Sequence, residues 1–330
     1  VQKKFFDLKK QSMKRLLFFF VASSLCLTAL AQAWPSRAVQ VIVPSAPGDG
    51  GDSAARVIGQ KLQEKLGQSF IIENKTGAGG IIGSMAGKAA KPDGYNFLVG
   101  NAGSHAINTA VYDKLAYDPV RDFEPVFLIN KAPNVCVINP SMPAINLAEF
   151  VALAKKDPGK YTFASGGNGT SAHLSAEYLK MVAGIDLLHV PYRGAAPAVL
   201  AVISGQAHLF CGNLPPAMPH IKSGKLRALG VTTLQRSPEL PNVPTIDESG
   251  YAGFESVAWF AFFAPKGTPT SVISSLNKAL EEILKTPDVR EQLQTLGTQP
   301  AGGTPEDLRQ FQSNEVQKWI KVARIAKVSL

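Results

Sequence analysis

From Val39 onward, short β-branched runs alternate with segments of helical period. Val39-Gln40-Val41-Ile42-Val43 predicts a buried strand, residues 44–52 a loop, and Ser53 to Leu66 a helix. Ala54, Val57, Ile58, Leu62 and Leu66 fall near one face of that helix, and Gly67 follows as its stop. Phe70-Ile71-Ile72-Glu73 predicts a second strand, Gly80 to Ala90 a second helix, and Asn96 to Gly100 a third strand. Strands that alternate with helices imply parallel pairing with right-handed crossovers. Further on, Phe127-Leu128-Ile129 and Val135-Cys136-Val137-Ile138 predict strands interrupted at Lys131-Ala132-Pro133, the expected passage between two lobes. The grammar then resumes. Helices are expected at 147–155, 171–182 and 196–204, and strands at 161–164, 187–190, 208–211 and 227–232. An exposed proline-rich connection (237–244) leads to the apolar strand Val257 to Phe263 and to helices near 270–285, 288–296 and 305–325. The last helices are expected to cover the first lobe, so the chain must cross between lobes at least twice. The reading is a hinged two-lobe α/β protein with lobe I at 34–131 plus 255–330 and lobe II at 132–254.

Composition narrows the class. Of the 330 residues, 45% are apolar and 18% charged, which is too apolar for disorder, and the 29 Gly and 23 Pro show no collagen period. The formal charge of +9 owes much to the first 33 residues. There Lys14-Arg15 precedes an apolar run from Leu16 to Leu30, and Ala31-Gln32-Ala33 closes it with a small-x-small pattern. That order is expected of a secretory signal peptide cleaved after Ala33, and the run is shorter than the roughly 20 residues that span a bilayer. Residues 1–33 hold six Lys/Arg and one acid, so the mature chain carries 28 basic and 24 acidic side chains, net +4. No basic run with interleaved aromatics remains to suggest nucleic acid. Cleavage leaves two thiols, Cys136 and Cys211, whose pairing the sequence leaves open.

In open α/β sheets, ligands sit outside the carboxyl ends of the strands. Four loops there combine small residues with a following helix start: 44–52, 100–105, 165–171 and 190–195. Unpaired N–H groups at helix N-termini favour an anion, so two such loops from each lobe would form a donor-rich cleft for a small carboxylate. Asp52, at a helix start, reads as an N-cap. His105 and His173 read equally as pocket lining or as capping residues, and the five histidines are not at metal spacing. Catalytic and cofactor signatures are missing: Ser53 replaces the third glycine of a dinucleotide fingerprint, and Gly83 to Ala89 falls short of a P-loop. No G-x-S-x-G, H-E-x-x-H or C-x-x-C occurs. Binding without cofactor or metal is therefore expected. A two-lobed enzyme acting on a carboxylate, or a sensor that passes its closed state to a signalling partner, stands as an alternative.

Several motifs resemble one family. Trp34-Pro35-Ser36-Arg37, Ile42-Val43-Pro44 with Ala46-Pro47-Gly48 and Asp52, and Glu73-Asn74-Lys75 with Gly77-Ala78-Gly79-Gly80 are similar to the periplasmic receptors of tripartite tricarboxylate transporters, the Bug family. So are Pro92-Asp93-Gly94-Tyr95, Tyr117-Asp118-Pro119, Val190-Pro191-Tyr192 with Gly194, and Gly224 to Leu229, in the family's order and spacing. The resemblance implies a periplasmic-binding-protein (Venus-flytrap, type II-like) fold with a parallel-rich sheet in each lobe. It also implies a monomer that captures a small organic acid and presents it to integral membrane subunits of a transporter. Carried over residue by residue, it places Ala46, Pro47, Gly48, Gly50, Asn101, Gly103 and Ser104 on a proximal carboxylate. Ser165, Gly166, Asn168, Gly169, Tyr192 and Gly194 would face the distal end, with Asp49, His105, Arg193 and Asn213 as further site candidates. Two departures bear on the ligand. Asp49 stands where the family has a small residue, and Cys211-Gly212-Asn213-Leu214-Pro215 replaces Phe-Asp-Asn-Leu-Pro. They imply a shift from simple dicarboxylates toward an amine-bearing, aromatic or neutral ligand.

Overall fold

The β-branched runs and the glycine-punctuated helices set up two half-sheets that share one long strand. The computed structural model describes residues 34–326 and 328, so the leader and its cleavage site lie outside the described residues. In the first half, β1 (Val39–Val43) lies between β2 (Phe70–Asn74) and β3 (Asn96–Asn101), all parallel. Helix α1 (Gly50–Leu66) packs its Ala54, Ala55, Ile58 and Leu62 inward and ends at Gly67 in the left-handed region, φ 72°. Helix α2 (Ile81–Ala89) follows β2, and a π-helical turn, 103–107, leads from β3 into α3 (Asn108–Val111). These elements match the expected order, with α1 starting three residues earlier than the expected Ser53.

Strand β4 (Phe123–Ile138) is where expectation and structure part. The interruption expected at 131–133 is instead the middle of a single 16-residue strand. Up to Pro133 it pairs with β9 (Val257–Pro265), and from Asn134 it pairs with β7 (Leu209–Asn213) and β8 (Arg227–Val231). Pro133 has no N–H to donate and sits where the strand changes neighbours, a position a proline tolerates. In the second half, β5 (Thr162–Ser165) pairs in parallel with β6 (Leu188–Pro191) and β7. Helices α4 (Leu147–Lys156), α5 (Ser171–Ala183), α6 (Ala195–Ile203) and α7 (Leu214–Lys222) flank it. Each half thus has a parallel three-strand unit, joined through antiparallel β4 and β9 into one mixed sheet ordered β2-β1-β3-β9-β4-β7-β5-β6.

The chain crosses between the halves along β4 and again between β8 and β9, and the two crossings are tied together. Thr232 N–H donates to the Asn134 carbonyl (3.0 Å), and Ser256 N–H donates to the Thr232 carbonyl (2.9 Å). The Asn134 amide donates to Ser175 Oγ (2.8 Å), and all four residues are buried. Helices α8 (Thr270–Leu284), α9 (Pro287–Thr295) and α10 (Pro305–Ala326) return to the first half. There α10 packs on β4 and on the segment 103–111.

Cys136 and Cys211 face each other in the β4–β7 register and are joined as a disulfide, which closes the question left open by the sequence. They lie 75 residues apart in sequence, a separation for which loop closure in the unfolded chain gives about 4 kcal/mol on the chain-entropy account. A Cys136→Ala/Cys211→Ala double variant is expected to lose roughly 2–4 kcal/mol in chemical denaturation. An unchanged midpoint and slope would contradict that.

Candidate functional site

The carboxyl ends of the strands from both halves converge on a cleft of about 350 Å³. The first half contributes Pro44, Ser45, Ala46, Asp49 and Gly51 after β1, residues 76–80 after β2, and 101–103 after β3. The second half contributes Gly166, Gly167 and Asn168 after β5, residues 191–195 after β6, and Asn213 at the end of β7. Ala258 and Phe260 of β9 and Ala172 of α5 supply apolar lining, and Tyr112 and Tyr192 add phenol rings. In β9 the pleat sends Ala258 and Phe260 toward the cleft, while Trp259 between them is bonded to α10. Donors at the loops with an apolar middle suit a small molecule that has a polar head and a short carbon chain.

The sequence candidates divide by position. Ala46, Asp49, Asn101, Gly103, Gly166, Asn168, Tyr192, Arg193, Gly194 and Asn213 line the cleft. Pro47 and Gly48 are exposed beside it, and Gly50 is buried against the Phe260 ring. Ser104 is buried behind Asn101, whose Oδ1 accepts the Ser104 N–H at 3.0 Å. His105 lies fully buried with its ring stacked on Phe263 (4.2 Å between centroids), and burial pushes its pKa down to about 3. It is a neutral core histidine. Ser165 and Gly169 are likewise beneath the loop that lines the cleft. Ser165 Oγ pairs with His189 Nε2 at 2.6 Å, and Gly169 N–H donates to His173 Nδ1 at 3.3 Å. The His173 and His189 rings stack at 4.2 Å, and burial first, then neighbouring positive charge, lowers their pKa values to about 3 and about 4. Among the described residues, no group of three or more His, Cys, Asp or Glu could hold a metal ion.

Tyr112 and Ala172 escaped the sequence reading, as did two larger parts of the lining. The loop 76–80 enters through its backbone: Gly77, Ala78, Gly79 and Gly80 all have positive φ, and that run of glycines was the available signal. Phe260 and Ala258 belong to a strand that reads as uniformly apolar, and its pairing partners alone decide which face meets the cleft.

Asp52 is not the N-cap expected of it; Asp49, which lines the cleft, holds that position. Asp52 lies in the first turn of α1, where it accepts from Gly48 N–H (2.9 Å), Asn74 Nδ2 (2.9 Å) and Arg56. Burial alone would raise its pKa, but the Arg56, Gly48 and Asn74 bonds outweigh it and hold the carboxyl below its ordinary range. Asp49 is the N-cap of α1 yet makes no side-chain bond to that helix. Its carboxylate instead crosses to the other half, where Oδ1 accepts from Ala195 N–H (3.0 Å) and Ala196 N–H (3.2 Å) at the start of α6. Its Oδ2 accepts from Ala46 N–H at 3.2 Å. Gly194, the N-cap of α6, has no side chain to offer, so Asp49 caps that helix from across the cleft.

Burial raises the Asp49 pKa to about 6, with the three N–H bonds opposing and Asp52 adding repulsion. An open cleft would return Asp49 to water and to the ordinary 3.8. The raised group is the one in the closed state, so its contribution to closure is complete below 3.8 and fades as pH rises through about 6. Lowering the pH from about 7 to about 5 is therefore expected to shrink the radius of gyration of the ligand-free protein in X-ray scattering. An Asp49→Asn variant should show no such response, and expansion on acidification would contradict the linkage.

A loop-lined cleft between two α/β half-sheets joined by crossing strands is the architecture of the periplasmic binding proteins. Residues 54–329 match the model of the tripartite tricarboxylate transporter family receptor, and the chain belongs to that family. Protein BugT of Bordetella pertussis is 35% identical over 318 residues, covering 95% of this chain and 98% of BugT. A protein encoded in the tcbD-tcbE intergenic region of Pseudomonas sp. strain P51 is 40% identical over 291 residues, 88% of this chain and 86% of that protein. Among solved structures, an R. palustris protein with adipate superposes with a TM-score of 0.88 at 37% identity, covering 90% of this chain and 99% of that one. MatC of Rhodopseudomonas palustris with bound malate gives 0.84 at 34% identity, covering 88% and 99%. The receptors of this family are solute-binding proteins, not enzymes.

Proposed function

We propose that this protein is a periplasmic receptor that closes on a small carboxylate and presents it to the integral membrane subunits of a tripartite transporter. The observation that carries the reading is the cleft itself, lined by glycine-rich loops from both halves of the sheet. The carboxylate head is held by backbone N–H groups of the loops 76–80 and 101–103, with the Asn101 side chain beside them. Tyr192, Asn168 and Asn213 read the other end. Family membership and the adipate and malate bound by its relatives support the ligand class. Closure follows because a ligand that touches both lobes only in the closed form stabilises that form by its differential affinity. The lobes divide near 131/132 and 254/255, close to where β4 leaves β9 after Pro133 and the chain returns to β9 at Val257. Periplasmic location is supported by the family, and the reading has the leader removed after Ala33; no helix among the described residues is long and apolar enough to cross a membrane. No chemistry is assigned to the site, and the protein acts as a monomer.

The test is a thermal-shift screen of the chain from Trp34 onward against dicarboxylates, tricarboxylates, amino acids and aromatic acids. One class of acid should raise the melting temperature in a concentration-dependent way. Silence across all acids, with a shift from a cationic or neutral compound lacking a carboxylate, would contradict the reading.

A further inference from the structure

The crossing of Asp49 bears on which carboxylate the cleft accepts, an inference that rests on the carboxylate-receptor reading. The N-terminus of α6 is the second lobe's most evident anion position: its leading N–H groups face the cleft and its own cap residue, Gly194, contributes no side chain. That position is already filled. Asp49 Oδ1 takes both Ala195 N–H and Ala196 N–H, and the side chain is only 6% exposed. The packing is close, since a Cβ on Gly194 would come within 2.7 Å of Ala46 Cβ and 3.2 Å of Asp49 Oδ2. A ligand carboxylate cannot share these donors, and placed beside them it would meet a like charge in a partly dehydrated site, where repulsion is poorly screened.

The other charges nearby do not reverse this. Asp52 repels too, although it is paired with Arg56 at 2.9 Å. Arg193 is the single cationic side chain among the lining residues, and it is exposed at the rim, where water screens it. A carboxylate offers roughly four acceptor positions, and Asp49 uses two on Oδ1 and one on Oδ2. One position on Oδ2 is left for a donor.

We propose that Asp49 sets the specificity of the cleft by acting as a built-in distal carboxylate. The receptor then takes a monocarboxylate whose far end is an N–H donor without negative charge, an ammonium or an amide, and it discriminates against dicarboxylates. The remaining backbone donors of the loops 76–80 and 101–103 hold the single carboxylate at the first-lobe end. With a closed-state pKa of about 6, Asp49 is charged at pH 7.5 and exerts this discrimination there.

Calorimetry at pH 7.5 tests the proposal with two matched series: succinate, succinamate and 4-aminobutyrate, then adipate, adipamate and 6-aminohexanoate. At the chain length the cleft prefers, the unsubstituted protein should bind the amide or amine at least tenfold tighter than the diacid. Asp49→Gly should tighten the diacid at least tenfold and weaken the amine. Asp49→Asn keeps an acceptor oxygen for α6 but removes the charge, and it should also ease the penalty on the diacid, which covers the case in which Asp49→Gly disturbs closure. A diacid bound as tightly as its monoamide, with a ratio that neither variant changes, would overturn the role of Asp49 while leaving the carboxylate receptor intact. Failure of all six acids on all three proteins would overturn both.

Discussion

Replacing Gly79 by alanine is expected to weaken binding of the best acid from the thermal-shift screen about 100-fold, or close to 3 kcal/mol. Gly79 belongs to the first-half loop after β2, and its φ of 60° lies in the left-handed region. A Cβ built there would overlap the Asn168 carbonyl oxygen in the second-half loop after β5, far inside van der Waals contact, so the two loops meet in the closed form only because Gly79 has no side chain. The backbone oxygen cannot rotate away as a side chain would. The closed state must therefore loosen, whereas an open cleft separates the two atoms. The ligand-free protein should lose only about 1 kcal/mol, the usual cost of a left-handed alanine. Calorimetry paired with thermal denaturation separates the two effects. An affinity within about threefold of the unsubstituted protein would mean that the approach of these loops is not needed for binding.

The second large effect concerns stability. Trp259 and Trp319 are both fully buried, and both indole N–H groups donate to one oxygen of Glu315, at 3.0 and 3.2 Å. Lys318 pairs with the other Glu315 oxygen at 3.1 Å. This cluster fastens α10 to the face of β9 opposite the one that carries Ala258 and Phe260 into the cleft. Trp259→Ala should cost roughly 3–5 kcal/mol through the lost ring and the space it leaves. Glu315→Ala strands two buried indole donors at about 1–3 kcal/mol each. Urea denaturation followed by tryptophan fluorescence is the check, and losses under 1 kcal/mol for both variants would show that α10 is held by other contacts.

Periodicity and loop chemistry made the order of elements legible from the chain alone, because each βα unit carries its own signal. Val39–Val43, the α1 stripe and the Gly67 stop are local features, and the structure follows them. Departures arise where the deciding partner is remote. Lys131-Ala132-Pro133 reads as a break, but Pro133 sits at the point where β4 exchanges β9 for β7 and β8, so the missing donor does not end the strand. Helix α7 escaped notice because its prolines argue against a helix, yet Pro215 and Pro216 occupy the first turn, where N–H groups go unpaired in any case. At the site, the loops after the strands were visible as small-residue runs. The partners of Asp49 across the cleft lie 146 and 147 residues away, beyond any local pattern. His105 illustrates the converse: its place beside a glycine-rich loop suggested the cleft, but the aromatic rings of Phe123 and Phe263 on distant strands hold it in the core.

The central claim is that a carboxylate lies in this cleft with its head on the first-half loops and its other end toward α6. A crystal structure of the protein with the tightest-binding acid of the matched series tests it most directly. The account predicts the carboxylate against residues 76–80 and 101–103, with Asp49 still bonded to Ala195 and Ala196. A carboxylate seated on the α6 donors with Asp49 turned away, or an acid bound outside the cleft, would contradict it.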